Sequence, residues 1–388
     1  MARGARHAPT RDLARYSRQP ARILPGNRVT VIHDGPHAIP AMLGAIDAAR
    51  HSVHVEAYIL RSDSVGWRLA EALVAAVRRG ATVRLTYDSA GCIATDVSLF
   101  DHLERYGVQV LEFRPIAPWR PRWSWNNRNH RKLLIIDGEV GFCTGLNWGE
   151  EYYALDAAGQ SLWRDTTARI EGPAVRELQR LFLRCWWRHH DKQRAVGHVD
   201  TPRPRGTSAV EVVGTWSART GGRIRRAYLH AFRRARRTIY VANAYFLPDR
   251  GLVRALANAV RRGVDVRVVV PGETDVAAMY YGSRATFGRL LRSGVRLFEW
   301  SGTMLHSKTC VVDGGWVTIG SANLDPRSRF HNQEANVIVY DERIGRAMER
   351  TFVEDLSRAT EVRQADWQKR GLWQRLLERL FYAVRYWL

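Results

Sequence analysis

One short signature occurs twice in this chain of 388 residues and combines the residue types that phosphoryl transfer requires. The signature is His-x-Lys-x4-Asp, and its two copies are formed by His130, Lys132 and Asp137 and by His306, Lys308 and Asp313. Corresponding residues are 176 positions apart (306 minus 130). One histidine could attack phosphorus while the other protonates the leaving oxygen, and two ammonium groups could hold the phosphate. These six residues are our candidate catalytic set.

The scarcity of lysine strengthens this interpretation. Of the 60 basic residues only four are lysines, so 56 (60 minus 4) are arginines. The four lysines are Lys132, Lys192, Lys308 and Lys369. Two of them occupy the same place in the two signatures, where a compact ammonium group cannot be exchanged for a planar guanidinium without changing the chemistry.

The composition limits the class of protein and the class of partner. A chain of this length most simply forms two domains or one pseudo-symmetric pair. Its 45% hydrophobic and 25% charged content is typical of a globular protein. The net charge of +22 indicates an anionic partner, and either nucleic acid or an acidic bilayer surface fits. A general preference for arginine in the genome would account for part of this excess.

The cysteines and the apolar segments bear on the compartment. The four cysteines are widely spaced, which fits neither a disulfide framework nor a zinc site: Cys92, Cys143, Cys185 and Cys310. We therefore expect a reducing compartment. Residues 1–28 contain no apolar signal segment, and no stretch reaches the roughly 20 apolar residues that cross a bilayer. Any membrane contact is expected to be peripheral.

The similarity between the two halves extends beyond the signatures. Three pairs of segments match: Ala45–Leu60 with Ala231–Leu247, Leu73–Leu85 with Leu256–Val268, and Leu103–Phe113 with Leu290–Trp300. In each pair a helical pattern is followed by a strand pattern, and in the first pair the strand pattern of both copies ends in an aromatic residue shortly before the final leucine. Gly80 and Gly263 are typical of helix C-caps. The alternation predicts an α/β sandwich in each half.

Each signature is predicted to lie on a strand–turn–strand unit. The apolar runs of residues 132–137 and 308–313 end at Asp-Gly, a turn signal, and a second strand follows. Side chains two positions apart on a strand share a face, so the histidine and lysine of each copy can enter one pocket. That pocket needs both halves. Asp137 and Asp313 are expected to hold the turns together rather than to contact the substrate.

We divide the chain into five parts. These are a basic N-terminal arm (1–28), a first half (29–187), a linker (188–208), a second half (209–362) and an amphipathic C-terminal helix (363–388). In the last part leucines and tryptophans recur at helical spacing between arginines. This pattern favours the plane of an anionic membrane surface. A helix docked on the domain or on a partner is the alternative.

These residues resemble the phospholipase D superfamily. Asn147 and Asn323 follow the two signatures, again 176 residues apart, and the resemblance covers the chain from about Val29 to Val362. Within the superfamily, the stretches NHRKLLIIDGEVGFCTGLN, WRDTTARIEGPAV and GSANLDPRS are similar to those of bacterial cardiolipin synthases. The form without N-terminal transmembrane helices, called cardiolipin synthase B, is the most similar. The implied fold is two phospholipase D-like α/β sandwich halves that share one active site at their interface.

The resemblance implies a role for each candidate residue. His130 would attack the phosphodiester and His306 would act as acid and base, although pseudo-symmetry leaves the reverse assignment open. Further roles are phosphate binding by Lys132, Lys308, Asn147, Asn323 and Ser321, and orientation of the histidine rings by Asp165 and Glu334. The first copy has no serine at the place of Ser321. Such a site requires no metal and no cofactor.

A segment rich in tryptophan and arginine precedes the first signature. Its tryptophans are Trp119, Trp123 and Trp125, separated by arginines and prolines. This composition suits a lipid headgroup interface, stacking on single-stranded bases, or a loop whose rings pack inward.

The expected function is transfer of a phosphatidyl group between two phosphatidylglycerol molecules, giving cardiolipin and glycerol. The expected location is peripheral, on the cytoplasmic face of the bacterial inner membrane. A phospholipase D-type hydrolase or a phosphodiesterase nuclease would use the same two histidines, and a non-catalytic scaffold is disfavoured by the intact signatures. Phosphatidylglycerol and the membrane are thus the expected partners, nucleic acid is not, and the oligomeric state stays open.

Overall fold

A computed structural model describes residues 11–120, 124, 126–190, 199–216, 218–274 and 276–386. The strands are β1 (Leu24–His33), β2 (Ser52–Ala57), β3 (Thr82–Asp88), β4 (Gln109–Phe113), β5 (Leu133–Ile136), β6 (Val140–Thr144), β7 (Trp163–Arg164), β8 (Thr166–Glu171), β9 (Ser208–Gly214), β10 (Thr238–Asn243), β11 (Asp265–Pro271), β12 (Arg296–Trp300), β13 (Met304–Leu305), β14 (Lys308–Val312), β15 (Trp316–Gly320), β16 (Ala335–Tyr340) and β17 (Ala359–Glu361).

Helices connect these strands. They are α1 (Arg11–Ala14), α2 (Gly35–Asp47), α3 (Ser64–Arg78), α4 (Val97–Arg105), α5 (Glu150–Tyr153), α6 (Val175–His190), α7 (Ala218–Arg234), α8 (Arg250–Arg261), α9 (Ala277–Arg292), α10 (Pro326–Phe330), α11 (Glu342–Leu356), α12 (Gln364–Gln368) and α13 (Leu372–Ala383), with a 3-10 turn at Pro20–Arg22. The predicted helix ends at Gly80 and Gly263 are confirmed, since both glycines have a positive φ (91° and 84°) that other residues rarely adopt.

The two halves repeat one sheet topology, which confirms the predicted pseudo-symmetric α/β fold. The strand order is β4-β3-β2-β5-β6-β8-β1 in the first half and β12-β11-β10-β14-β15-β16-β9 in the second, with β17 beside β12. β2, β3 and β4 are parallel, because helices α3 and α4 cross over between them, and β5 and β6 form an antiparallel hairpin. Antiparallel pairing of β1 with β9 joins both halves into one 15-stranded sheet.

Apolar cores lie inside each half and also between the two halves. One lies under α2, α3 and α4 of the first half, and one under α7, α8 and α9 of the second. The third core combines α6 and α11 with strand residues from both halves, such as Val210 and Ile170. A further two-stranded sheet, β7 with β13, also pairs the first half with the second. The cavity between the halves is therefore positioned by elements of both.

The chain termini are more closely integrated than the sequence indicated. β1 begins at Leu24, inside the segment that we expected to be a basic arm, and the Tyr16 side chain is buried in the core of the second half. Residues 363–386 do not form one helix. They form α12, whose Trp367 is buried in the same core, and α13. Among the described residues, no helix is both long enough and apolar enough to span a bilayer.

Candidate active site

The backbone of each signature is anchored to the opposite half of the molecule. The His130 amide donates to the carbonyl oxygen of Gln333 (2.9 Å), and the His306 amide donates to that of Arg164 (2.9 Å). His130 lies three residues before β5 and His306 lies two residues before β14, the buried strands that begin the hairpins. The hairpins thus bring the two signatures face to face at the boundary between the halves.

Each histidine ring is also oriented by a carboxylate from the opposite half. Nδ1 of His130 lies 3.1 Å from both carboxylate oxygens of Glu334. Nδ1 of His306 lies 2.7 Å from Oδ2 of Asp165. Because a carboxylate accepts the Nδ1–H, it fixes the tautomer and leaves Nε2 available for chemistry. The pairing crosses between halves, so neither half contains a complete histidine–carboxylate pair.

Both histidines line a single cavity of about 410 Å³. The other residues that line it are Tyr58, Ile59, Asn147, Tyr152, Tyr245, Val276, Met279, Asn323, Asp325, Arg327 and Asn332. Tyrosine rings pack edge-on against the imidazoles, with centroid distances of 4.7 Å from Tyr58 to His130 and 5.6 Å from Tyr152 to His306. This cavity combines two reactive imidazoles with polar and apolar walls, as expected for a site that binds an amphipathic substrate.

The two lysines are buried beside the histidines. Lys132 Nζ donates to the His130 carbonyl (2.9 Å), and Lys308 Nζ donates to the His306 carbonyl. The pKa of Lys132 is well below its usual value, since burial disfavours the ammonium form and Lys308 repels it, while Glu334 acts in the opposite direction. An anionic phosphate in the cavity would favour the ammonium form of Lys132.

Burial also controls the histidine pKa values. Burial is the main reason that the pKa of His130 falls to about 4, and the two lysines lower it further against the opposing effect of Glu334. The pKa of His306 also falls to about 4, through burial and Lys308 and against the effect of Asp165. Both imidazoles are therefore neutral at pH 7, the form that a nucleophile requires. A bound phosphodiester adds negative charge and raises these pKa values, which favours protonation of the acid.

The two carboxylates are held differently. Glu334 accepts hydrogen bonds from the hydroxyls of Ser321 and Ser328 as well as from His130. Burial alone would raise its pKa, but His130, Lys132 and Ser321 together lower it, so that Glu334 stays ionised. Asp165 instead lies against Gly145, where an added Cβ would be 2.4 Å from its Oδ1.

Two candidate catalytic residues lie away from the chemistry. Asp137 and Asp313 sit at the far ends of β5 and β14, both with φ of 52°. The Asp137 carboxylate accepts three backbone N–H groups of residues 50–52, at 2.7 to 3.0 Å. The Asp313 carboxylate does the same for residues 236–238 and accepts the Tyr16 hydroxyl at 2.5 Å. This arrangement agrees with the expectation that they hold the turns to the adjacent strands. Because neither aspartate lines the cavity, we treat both as structural rather than catalytic residues.

Ser321 likewise has a different role from the one expected. It is completely buried, and its hydroxyl donates to Glu334 and accepts the Ala335 amide N–H (3.1 Å). It therefore supports a carboxylate rather than binding phosphate. Asn147 and Asn323 do reach the cavity, and their amide oxygens accept the backbone N–H groups of Ile59 and Tyr245, both at 3.3 Å.

Several cavity residues escaped the sequence analysis. Tyr58 and Tyr245 follow the matched strands β2 and β10, so the aromatic residue at each strand end was a usable signal. Arg327 lies four residues after Asn323, in a segment quoted only for its resemblance. Val276 and Met279, at the start of α9, had no signal in the sequence because only the tertiary fold brings them to the cavity.

The aromatic segment before the first signature is described only in part. Trp119 is 84% exposed. Trp123 and Trp125 lie outside the described residues. Arg120 forms an ion pair with Glu112, and buried Arg128 donates to the Arg114 carbonyl (3.0 Å). The described residues of this segment thus contact the first half through Arg120 and Arg128, and the Trp119 side chain is exposed to solvent.

A solved structure shares the fold of this chain. The phosphatidylserine synthase of Haemophilus influenzae Rd KW20 superposes with a TM-score of 0.72 over 94% of this chain and 97% of that chain, at 13% identity. At this identity the likeness shows the fold. The family model with a PLD-like domain, which matches most of both halves, defines the class as a phospholipase D-like protein.

Sequence relatives define the family more narrowly. The family described as "Cardiolipin synthase, PLD-like domain" matches residues 42–186 and 228–356. The cardiolipin synthase of Geobacillus sp. (strain WCH70) is 33% identical over 97% of this chain and 75% of its own length. The major cardiolipin synthase of Bacillus subtilis (strain 168) is 33% identical over 91% of this chain and 73% of its own length. The chain belongs to the cardiolipin synthase family of phospholipase D-like proteins.

Proposed function

We propose that this protein transfers a phosphatidyl group from one phosphatidylglycerol to the glycerol hydroxyl of a second, producing cardiolipin and glycerol. The observation that carries the proposal is the convergence of His130 and His306, each with a carboxylate from the opposite half, on one cavity beside two buried lysines. The names of the 33%-identical relatives support the same reaction.

The first step forms a covalent intermediate. Nε2 of neutral His130 attacks the phosphorus of the donor lipid, and a P–N bond forms as the bond from phosphorus to the glycerol oxygen breaks. Protonated His306 donates its Nε2 proton to that oxygen, so glycerol leaves as a neutral alcohol and His306 becomes neutral. Glu334 remains anionic and stabilises the positive charge that His130 acquires.

The second step reverses the first with a different alcohol. The primary hydroxyl of the second phosphatidylglycerol attacks phosphorus, and neutral His306 takes the hydroxyl proton. The new P–O bond replaces the P–N bond, which releases cardiolipin and neutral His130. Lys132 and Lys308 stabilise the negative charge on the phosphoryl oxygens in both transition states, more strongly in a buried site than in water. If His306 were the nucleophile and His130 the acid and base, the same types of bond would form and break in each step.

We also propose that α13 attaches the protein to the membrane peripherally, on the cytoplasmic face. One side of α13 packs against α9, where Phe381 stacks on Tyr281. Apolar side chains on its other side are exposed, namely Leu372, Trp373, Leu376, Leu380 and Val384. Exposed leucine and tryptophan beside arginines suit an anionic bilayer surface.

The position of α13 supports delivery of lipid to the site. α9, on which α13 packs, begins between Val276 and Met279, and both of these residues line the cavity. Beyond the end of α13, the Tyr386 ring contacts the His331 ring (4.8 Å), next to cavity residue Asn332.

The four buried, unpaired cysteines are compatible with a reducing compartment.

One assay tests the reaction against its alternatives. The purified protein is incubated with phosphatidylglycerol vesicles and, separately, with labelled single-stranded DNA. We expect glycerol release matched by cardiolipin formation, and no strand cleavage. The variants His130→Ala and His306→Ala should lose cardiolipin formation. Phosphatidic acid as the dominant product would replace the proposal by a hydrolase, and DNA cleavage that depends on both histidines would replace it by a nuclease.

A further inference from the structure

Arg327 is a cation in the active-site cavity that the two-histidine mechanism does not use. It lies on α10, lines the cavity and is half-buried. Its guanidinium makes no hydrogen bond or ion pair with any residue that the structure describes. Among the described residues that line the cavity, it is the only arginine or lysine. A half-buried guanidinium with five unused N–H groups is a ready site for an anion.

The two halves differ at this position. Arg327 follows Asn323 by four residues, and the residue four after Asn147 is Glu151. Glu151 is neutralised by an ion pair with Arg61 (3.2 Å). The extra positive charge is therefore present on only one side of a site whose lysines are otherwise symmetric. In the proposed mechanism, the transferred phosphate already lies between the two lysines. A cation that is present only in the second half, Arg327, therefore suits a second anion.

The carboxylate nearest in sequence does not cancel this charge. Asp325 also lines the cavity, but its Oδ1 accepts the Ser328 amide N–H at 2.6 Å as the N-cap of α10. Burial raises the pKa of Asp325 to about 7, which weakens its negative charge near neutral pH. Arg327 thus keeps its attraction for an incoming anion.

We propose that Arg327 binds the phosphodiester of the acceptor phosphatidylglycerol. This inference rests on the proposed function, in which the acceptor brings its own phosphate. The attacking hydroxyl and that phosphate belong to one glycerol unit, so the phosphate must lie close to the transferred phosphorus, within the same cavity. Water and free glycerol carry no such anion. Arg327 would therefore favour the lipid acceptor over both, which directs the intermediate to cardiolipin rather than to hydrolysis.

The test separates reactions that share the donor step. One preparation is assayed for cardiolipin formation, for exchange of labelled glycerol into phosphatidylglycerol, and for release of phosphatidic acid. For Arg327→Gln we expect cardiolipin formation to fall roughly tenfold or more, because a charge-assisted hydrogen bond is lost, while glycerol exchange stays within about twofold. Arg327→Lys should be intermediate. Arg254→Gln, which removes the same charge from an exposed site on α8, is the control and should behave as wild type.

Two results would overturn the assignment of Arg327. Equal losses of glycerol exchange and cardiolipin formation would place Arg327 in the donor step, and unchanged cardiolipin formation would show that it binds no acceptor. Failure of the proposed function is distinguishable, because the wild-type protein itself would then form no cardiolipin. Thermal unfolding of Arg327→Gln should match wild type, since the side chain holds no other described residue.

Discussion

The carboxylate of Asp165 in the first half lies 2.7 Å from Nδ1 of His306 in the second. The equivalent contact, with the roles of the halves exchanged, joins Glu334 of the second half to His130 of the first at 3.1 Å. A charge placed behind an imidazole stabilises its protonated form and fixes its orientation. The chemistry of each histidine therefore depends on a side chain from the other half.

Amide substitutions of these carboxylates should slow catalysis and move its pH dependence. Asp165 raises the pKa of His306, so Asp165→Asn should lower that pKa and shift the basic limb of the kcat/KM profile to lower pH. Glu334→Gln should lower the pKa of His130 and shift the acidic limb to lower pH. A rate loss of roughly 10²- to 10⁴-fold is expected for each. The exposed Glu354→Gln is the control, and unchanged profiles in the two amide variants would contradict these roles.

The signature aspartates should affect stability rather than turnover. Asp137→Ala removes an acceptor of three backbone N–H groups, so we expect a loss of about 2–3 kcal/mol in the free energy of unfolding. Asp137→Asn keeps one oxygen acceptor and tolerates the φ of 52°, so it should lose less. The measurement is urea unfolding, together with kcat of the folded fraction. A large fall in kcat without loss of stability would return Asp137 to the catalytic set.

The position of Gly145 should not accept a side chain. An alanine Cβ there would lie 2.4 Å and 2.6 Å from the two carboxylate oxygens of Asp165, so Asp165 must move away from His306. We expect Gly145→Ala to reduce cardiolipin formation by roughly 10- to 100-fold while the far-ultraviolet circular dichroism stays unchanged. Gly44→Ala on α2, where the added Cβ has open space, is the matched control. Full activity of Gly145→Ala would show that the Asp165 position is not critical.

Membrane attachment should depend on the exposed face of α13. Replacing Leu376 and Leu380 by glutamine removes two exposed leucines, and co-sedimentation with phosphatidylglycerol vesicles should fall more than tenfold. Ile93→Gln removes an even more exposed apolar residue from another surface and should bind as wild type. Truncation after Val362 is a poor test, because it also removes Trp367 from the core of the second half. Undiminished sedimentation of the double variant would remove α13 as the anchor.

The local elements of this fold were predictable from the sequence. Short apolar runs that stop at Asp-Gly predicted the hairpins, and Gly80 and Gly263 predicted helix ends. Both predictions succeed because these preferences act over a few residues. The α/β class and the two-half arrangement followed from the repetition of such patterns. The family resemblance then predicted roles for the two histidines, the two lysines and the two ring-orienting carboxylates.

The pairing of distant residues was not predictable. Asp165 and Glu334 each follow the signature of their own half, and only the fold shows that each serves the other half. Tyr58 and Tyr245 each stand two residues before the end of the matched segments Ala45–Leu60 and Ala231–Leu247. The hydrogen bonds to Asn147 and Asn323 instead show that Ile59 occupies the position equivalent to Tyr245. Ser321 was assigned to phosphate because its burial beneath Glu334 depends on tertiary packing.

Joining the two halves in one chain has a consequence beyond stability. A symmetric dimer of a single half must present identical side chains to both substrates of a reaction. Here Gly145 faces one carboxylate and Ser321 the other, and Glu151 corresponds to Arg327. A fused duplicate can thus evolve separate preferences for the molecule that gives the group and the molecule that receives it, without disturbing the shared machinery between them.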